Sequence, residues 1–116
     1  VRWRTRLPTG AFGPMNTPAI ADGTLYVGDG AGWIYALDLA TGAIGWRRRV
    51  GGGIYNVVVC GDNVASSNFE AAVLDRRDGS WRRFYPARPQ LFDAPLGTDG
   101  RRVYVQTTQY LVAMDC

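Results

Sequence analysis

The stretch YALDLATGAIGW, residues 35–46, contains the residues that decide the fold. It joins two runs that have the composition of short β-strands. Asp38, Thr41 and Gly42 fall where a tight turn has to connect those strands. An Asp carboxylate at such a turn can accept backbone N–H groups, and a glycine supplies a positive φ without a Cβ clash. The pattern therefore predicts an antiparallel hairpin that carries Trp46 on its second strand.

Two further copies of this arrangement follow along the chain. The three copies occupy residues 18–46, 57–81 and 94–116. Each contains a short apolar run, a turn rich in Gly and Asp, an alternating strand, and a second strand that ends in an apolar residue followed by Asp. Those aspartates are Asp38, Asp75 and Asp115. The repeat length is close to that of a four-stranded propeller blade, a unit that needs neighbours to bury its apolar faces.

The amino-acid composition argues against several classes of catalytic and binding site. The chain has 116 residues and 13 basic side chains, all of them arginine, with no histidine and a single glutamate. Catalytic triads, metal sites and pH switches built on histidine are therefore excluded. The arginines occur in short clusters at strand ends and turns, whereas a nucleic-acid surface gathers them on one face. No apolar run reaches the roughly 20 residues of a membrane helix. We expect neither nucleic-acid binding nor membrane insertion.

The two cysteines, Cys60 and Cys116, match no zinc or redox spacing. They form a disulfide only if the fold brings their Cα atoms within about 7 Å of each other. Two unrelated thiols, with Cys60 as a core residue, are the other possibility. The sequence leaves both open.

The segment ALDLATGAIGW resembles the tryptophan-docking motif of the PQQ-like, or quinoprotein-type, β-propeller repeat. That motif reads Ala-x-Asp-x-x-Thr-Gly and, after three further residues, Trp. The matching positions here are Ala36, Asp38, Thr41, Gly42 and Trp46. In that family the tryptophan of one blade docks onto the neighbouring blade and holds the radial sheets together.

The other copies match the motif less fully. The second copy keeps Asp75 and Gly79, but Val73 replaces the alanine, Asp78 replaces the threonine, and Trp81 arrives two positions early. The third copy has Ala113 and Asp115, and the N-terminal run VRWRTRL carries Trp3. The resemblance implies a structural role in blade docking for the following residues: Trp3, Ala36, Asp38, Thr41, Gly42, Trp46, Asp75, Gly79, Trp81, Ala113 and Asp115.

We therefore predict an all-β segment of about three four-stranded antiparallel blades. Residues 1–7 are the outer strand of a split blade, 8–50 the first full blade, 51–85 a second and degenerate blade, and 86–116 the first three strands of the split blade. Propellers typically close with about 4–8 blades. The chain, which opens on Val1, is then either part of a longer propeller or joins further copies of itself, as a dimer or trimer whose N-terminal strands complete the neighbouring copies.

The resemblance implies a non-catalytic function, as a protein-interaction scaffold or ligand-sensing module outside the cytoplasm, with no cofactor. The alternative is a fragment of a PQQ-dependent dehydrogenase that oxidises alcohols or sugars. Such enzymes hold the quinone with calcium, an Asp base and usually a pair of adjacent cysteines. Adjacent cysteines do not occur in this chain, and Asn68 and Glu70 are its candidate calcium ligands.

Overall fold

The computed structural model describes residues 1–8, 17–54, 56–67, 70–85, 97–106 and 109–116, and these residues form three antiparallel sheets and no helix. Blade 1 contains β1 (Ala19–Ala21), β2 (Thr24–Gly28), β3 (Trp33–Asp38) and β4 (Ile44–Arg49). Blade 2 contains β5 (Asn56–Cys60), β6 (Asn63–Ser67), β7 (Ala71–Asp75) and β8 (Trp81–Tyr85). The third sheet contains β9 (Gly97–Thr98), β10 (Arg102–Gln106) and β11 (Leu111–Asp115). The predicted fold class is confirmed.

Each sheet is a meander in which every strand pairs with the next strand along the chain. The β1–β2 connection shows how the chain reverses direction between neighbouring strands. Ala21 pairs with Thr24, so Asp22 and Gly23 form a two-residue loop. Both loop residues have positive φ, 48° and 73°. This is the geometry that matches the twist of the flanking strands, and Asp-Gly is a preferred pair for it.

The two complete blades share a bulge at the same place. In blade 1 the register of β3 and β4 shifts between Ala36 and Leu37, because Gly45 is an extra residue on β4. In blade 2 the register of β7 and β8 shifts between Val73 and Leu74, and Arg82 is the extra residue. A bulge bends its strand and re-aims the side chains that follow it. The repeat is therefore preserved in the backbone even where its side chains differ.

The sheets stack through their alternating faces. Ile34 and Ala36 face blade 2, where they form one core cluster with Val64 and Leu74. The neighbouring residue Tyr35 belongs to a cluster on the other face of blade 1. In blade 2 the opposite face carries Ala65 and Val73, which pack on Val103, Val105 and Met114 of the third sheet. Blade 2 therefore lies between blade 1 and the third sheet.

The N-terminal segment, residues 1–7, packs on blade 1 through Trp3 and Leu7. Its exposure alternates as predicted from Arg2 to Leu7, although Val1 is fully exposed. Among the described residues the segment belongs to none of the three sheets, and its assignment as the outer strand of a split blade stays a prediction. The third sheet, which such a strand would complete in a neighbouring copy or in a longer propeller, lies on the far side of blade 2 from this segment.

A buried carboxylate fixes the β2–β3 connection of blade 1. Asp29 is 2% exposed. One of its carboxylate oxygens accepts the backbone N–H groups of Ala31 and Trp33, at 2.9 and 3.0 Å, and the other accepts the hydroxyl of Tyr35 at 3.0 Å. Its backbone carbonyl accepts the N–H of Ile54, on the connection to blade 2. This one residue thereby ties a turn, a core tyrosine and the inter-blade connection together.

We expect Asp29→Ala to lower the free energy of unfolding by about 2–4 kcal/mol, because it leaves several buried donors without their acceptor. The matched variant Tyr35→Phe removes only one of these hydrogen bonds and should cost about 1 kcal/mol. Urea unfolding of both variants measures the difference. Equal costs would show that the turn donors find other acceptors.

Candidate functional site

Trp3 lies over the turn that ends β3 in blade 1. Its indole N–H donates a hydrogen bond to the carbonyl of Leu39 at 3.0 Å. Two residues further on, the hydroxyl of Thr5 donates to the carbonyl of Gly42 at 2.5 Å. These contacts attach the N-terminal segment to the turn that follows Asp38. We define a docking site as two residues of such a turn: the residue directly after the motif aspartate, here Leu39, and the glycine four residues after that aspartate, here Gly42.

Trp46 makes the same contacts with the docking site of blade 2. Its indole N–H donates to the carbonyl of Arg76 at 2.9 Å, and Nε of Arg48 donates to the carbonyl of Gly79 at 2.7 Å. The Trp46 ring also lies 6.2 Å from the ring of Tyr26, at a tilt of 46°. Trp46 and Arg48 are thus the register equivalents of Trp3 and Thr5. Ala36, which pairs with Trp46 across the sheet, is buried behind it.

Both docking glycines lie directly under an indole ring. A Cβ at Gly42 would stand 2.4 Å from Cε3 of Trp3, and a Cβ at Gly79 would stand 2.5 Å from Cε3 of Trp46. Both glycines also have positive φ, 74° and 72°. The turn and the ring therefore each require glycine at this position, for separate reasons.

The motif aspartates shape the docking turns. One carboxylate oxygen of Asp38 accepts the backbone N–H groups of Ala40 and Thr41, each at 2.9 Å. These bonds, with that of Thr41 the larger contributor, lower the pKa of the Asp38 carboxyl. The Thr41 hydroxyl in turn accepts the N–H of Ala43 at 3.2 Å. The side chain of Asp115, by contrast, is 79% exposed, and its Oδ1 lies 3.7 Å from Nε of Arg102.

Asp75 differs from Asp38 because it is buried under two arginines. Arg77 bonds both of its carboxylate oxygens, with the closer contact at 2.9 Å, and Arg82 also bonds it. The side chain of Arg77, its backbone N–H and then the side chain of Arg82 hold the pKa of Asp75 far below the ordinary range. The extra residue of the β8 bulge, Arg82, is what brings the second guanidinium to this carboxylate.

Trp81 does not occupy the position that Trp3 and Trp46 share. It pairs with Leu74, as Ile44 pairs with Leu37, and Arg83 stands at the place of Trp46. The Trp81 side chain is 45% exposed and meets the ring of Phe84 edge-on at 6.1 Å. Counting from the motif aspartate would have revealed the shift, since Trp46 is eight residues after Asp38, as Arg83 is after Asp75. Docking by Trp81 stays a prediction.

The third sheet has an open edge on β11. Among the described residues β11 pairs only with β10, whereas the equivalent strand β3 pairs on both sides. The outer face of β11 is uncovered as well: Ile34 of β3, which faces blade 2, is 0% exposed, whereas the equivalent Leu111 of β11 is 76% exposed. Ala113 is the equivalent of Ala36 and is exposed as well. Within the part of the chain that the structure describes, this edge offers an unpaired row of backbone N–H and C=O groups.

A groove of about 420 Å³ lies beside the second docking site. Its lining includes Trp46, Asp38 and Arg77, and it is crossed by the ion pair of Arg76 and Asp22, whose N–O distance is 2.5 Å. The charges of this groove are mixed.

The described residues do not fit a calcium–PQQ site. They contain no group of three or more His, Cys, Asp or Glu side chains that could hold a metal ion. Cys60 and Cys116 form a disulfide with each other, with Cα atoms 5.7 Å apart, so neither supplies an adjacent pair. Of the two candidate calcium ligands, Glu70 is half-buried, and Asn68 lies outside the described residues. Within the described parts of the chain there is no helix that is long and apolar enough to cross a bilayer.

The docking sites and the stacked antiparallel sheets define a segment of a β-propeller built from PQQ-like repeats. The family model described as "Outer membrane protein assembly factor BamB" matches residues 1–115, and the chain belongs to this family. The crystal structure of BamB from Moraxella catarrhalis is similar, with a TM-score of 0.81 and 21% sequence identity. The match covers 98% of this chain and 36% of that one, so the chain spans about a third of that protein's length. No curated protein matches.

We expect Gly79→Ala to weaken the contact between blades 1 and 2 by more than backbone strain alone. Gly23→Ala is the matched control, because Gly23 has a similar φ of 73° but open space where the Cβ would lie. Backbone strain should cost each variant about 1 kcal/mol, and displacement of Trp46 should add about 1–3 kcal/mol in Gly79→Ala alone. Urea unfolding and tryptophan fluorescence measure both effects. Similar costs would show that the ring accommodates a methyl group.

The lowered pKa of Asp75 makes its contribution to stability depend on pH. A carboxyl whose pKa is depressed by folding stabilises the protein above its unfolded pKa, about 3.9, and loses that contribution as the pH falls toward the folded pKa. We therefore expect the stability difference between the native protein and Asp75→Asn to be constant from pH 7 to about 5 and to shrink below pH 4. Urea unfolding of both proteins at pH 7 and pH 3 measures it. A difference of the same size at both values would contradict the role of the two arginines.

Proposed function

We propose that this chain is a non-catalytic propeller module that holds protein partners, as an interaction scaffold or ligand-sensing domain. The observation that carries the proposal is the open edge of β11. Among the described residues β11 pairs only with β10, and its outer face is uncovered too, with Leu111 at 76% exposure against 0% for the equivalent Ile34, which blade 2 covers. An apolar strand edge of this kind is a template for pairing with another strand.

The engagement of the carboxylates favours a scaffold over an enzyme. Asp29 and Asp38 accept backbone N–H groups of their own turns, and Asp75 is neutralised by two arginines. Asp99 accepts the N–H groups of Arg102 and Arg101, and these bonds lower its pKa to about 2. A general base needs a pKa near the working pH. These aspartates are set up to shape turns, so they do not support a dehydrogenase fragment.

The family supports a function in protein assembly. Its model carries the description of an outer membrane protein assembly factor, which is a role exercised on other proteins. Because the chain spans 36% of the similar BamB structure, we propose only the general role for it.

We also propose an extracytoplasmic location, which the disulfide and the family description support. Disulfides persist in oxidising compartments such as the periplasm and the extracellular space, and they are rare in the cytosol. Cys60 and Cys116 form such a bond here. The family description places its members in work on outer membrane proteins, which agrees with that compartment.

The partner that fits the β11 edge is an extended strand with a tryptophan opposite Ala113. In blade 1 the equivalent Ala36 pairs with Trp46, whereas Val73 in blade 2 pairs with Arg83. The N-terminal segment of this chain has the required form, because it is extended, belongs to none of the sheets, and carries Trp3 at the position of Trp46. The strand comes either from a second copy, in a dimer or trimer, or from further blades of a longer chain.

A peptide with the sequence of residues 1–7 tests the edge directly. We expect it to bind with micromolar affinity and to slow amide hydrogen exchange along β11, with Trp3 beside Ala113. A peptide with Trp3→Ala should bind up to about fivefold more weakly, because it loses the cross-strand packing of the indole on Ala113. A peptide with Arg4→Ala is the matched control, since Arg4 is exposed on the opposite face of the segment.

Light scattering of the purified chain distinguishes the two sources of the strand. A discrete multiple of 12.7 kDa that reverts to the monomer with Trp3→Ala would indicate exchange of N-terminal segments between copies. A monomer that binds the peptide would indicate that the strand belongs to a longer chain. The edge has no docking role if the native and Trp3→Ala peptides bind equally or leave β11 unprotected.

A further inference from the structure

The contacts at the junctions between neighbouring layers of the stack are not all of the same kind. In the first, Trp3 bonds the carbonyl of Leu39, and in the second, Trp46 bonds the carbonyl of Arg76. In each case the acceptor directly follows the motif aspartate. Its own N–H is fixed too, because Leu39 donates to Gly23 at 2.9 Å and Arg76 donates to Asp62 at 3.0 Å.

Cys116 is the register equivalent of these two acceptor residues in the third sheet. It directly follows the motif residue Asp115, and its N–H donates to the carbonyl of Arg101 at 3.2 Å. The side chain that should dock here comes from β8, where Arg83 replaces tryptophan. Arg83 interacts with Tyr85 and with the charge of Asp115, and both interactions raise its pKa, that of Tyr85 the more. The third junction therefore has an arginine at the register position where the others have an indole.

A disulfide bond lies at this junction between blade 2 and the third sheet. Cys116 is joined to Cys60, the last residue of β5 in blade 2, across 56 residues of sequence. The sulfur of Cys60 is buried and accepts the hydroxyl of Thr98 of the third sheet at 3.3 Å. The disulfide thus runs from blade 2 to the very residue whose counterparts, Leu39 and Arg76, accept the docking tryptophans of the other junctions.

We propose that the Cys60–Cys116 disulfide replaces the docking tryptophan at the junction between blade 2 and the third sheet, and that its redox state decides whether the third sheet is held in place. With the bond formed, the third sheet is fixed on blade 2. With the bond reduced, the junction retains the core around Val103 and Val105 and the electrostatic attraction between Arg83 and Asp115. The β11 edge is then no longer presented in a fixed position, a last step that rests on the proposed function.

The switch needs only thiol chemistry. A dithiol reductant attacks one sulfur, and the resulting mixed disulfide is resolved by the second thiol of the reductant. The reductant becomes a cyclic disulfide, and its two electrons and two protons leave Cys60 and Cys116 as free thiols. A thiol–disulfide oxidant reverses the reaction by accepting the same two electrons and two protons.

Amide hydrogen exchange of the oxidised and reduced chain tests the proposal at pH 7, with dithiothreitol as the reductant. We expect reduction to speed the exchange of the β10 amides at least about tenfold, within the range for a disulfide that closes a loop of this length, while the β3 amides change by less than about twofold. The variant Cys60→Ala/Cys116→Ala should exchange like the reduced chain and be insensitive to dithiothreitol. The variant Trp46→Ala should loosen blade 1 from blade 2 and leave the β10 amides of the oxidised chain unchanged.

Two results would overturn the proposal. Unchanged exchange of β10 after complete reduction, verified by thiol titration, would show that the sheet does not depend on the bond. An equal acceleration in all three sheets would show that the bond stabilises the whole chain instead of one junction. Binding of the peptide of residues 1–7 to the oxidised chain is measured separately, so a failure of the edge to bind leaves the junction result standing.

Discussion

The contact on which this structure depends is an indole ring packed against a glycine, which has no Cβ. The indole N–H reaches one particular carbonyl, while the ring covers the glycine three residues further on, so both the distance and the angle between neighbouring sheets are fixed together. A hydrophobic face alone would allow the sheets to slide, because the hydrophobic effect has no direction. The hydrogen bond supplies direction, and the missing Cβ supplies the close approach. Two junctions of this chain use the contact in the same register, with Trp3 on Gly42 and Trp46 on Gly79.

The sequence predicts local features of this arrangement well, because hairpins are governed by period-two alternation and by Gly and Asp at turns. The strands of both complete blades and the three strands of the third sheet follow from those signals. Docking depends on register, and a one-residue bulge changes which side chain faces the neighbour. Arg83 therefore stands where Trp81 was expected. The pairing of Cys60 with Cys116 is likewise beyond local patterns, since only the stacking of two sheets brings their Cα atoms to 5.7 Å.

The degenerate second blade keeps its turn by exchanging one set of contacts for another. In blade 1, Asp38 is exposed and bonds two backbone N–H groups of its own turn. In blade 2, Asp75 is buried, and Arg77 and Arg82 bond its oxygens. Burying a carboxylate is costly unless it is paired, and the pair of arginines satisfies that condition. The turn hydrogen bond from the glycine N–H to the aspartate carbonyl is 2.8 Å in both blades. Substitution at the Thr position of the motif is tolerated because Asp78 accepts the N–H of Ser80 at 2.9 Å, as the Thr41 hydroxyl accepts that of Ala43.

A stack of sheets in which each layer contacts only its neighbours behaves nearly as a one-dimensional array. A change at one junction then affects the adjacent layers first. Each junction can therefore be held by a different contact: an indole, an arginine with a disulfide, or a strand from another chain. The ends of such an array are its exposed part. Leu111 at 76% exposure and its buried counterpart Ile34 are equivalent residues at an end and in the interior of the stack. The open β11 edge therefore follows from the same architecture that keeps the interior closed, and a strand that pairs there repeats, between chains or blades, the pairing of β4 with β3 that presents Trp46 to blade 2.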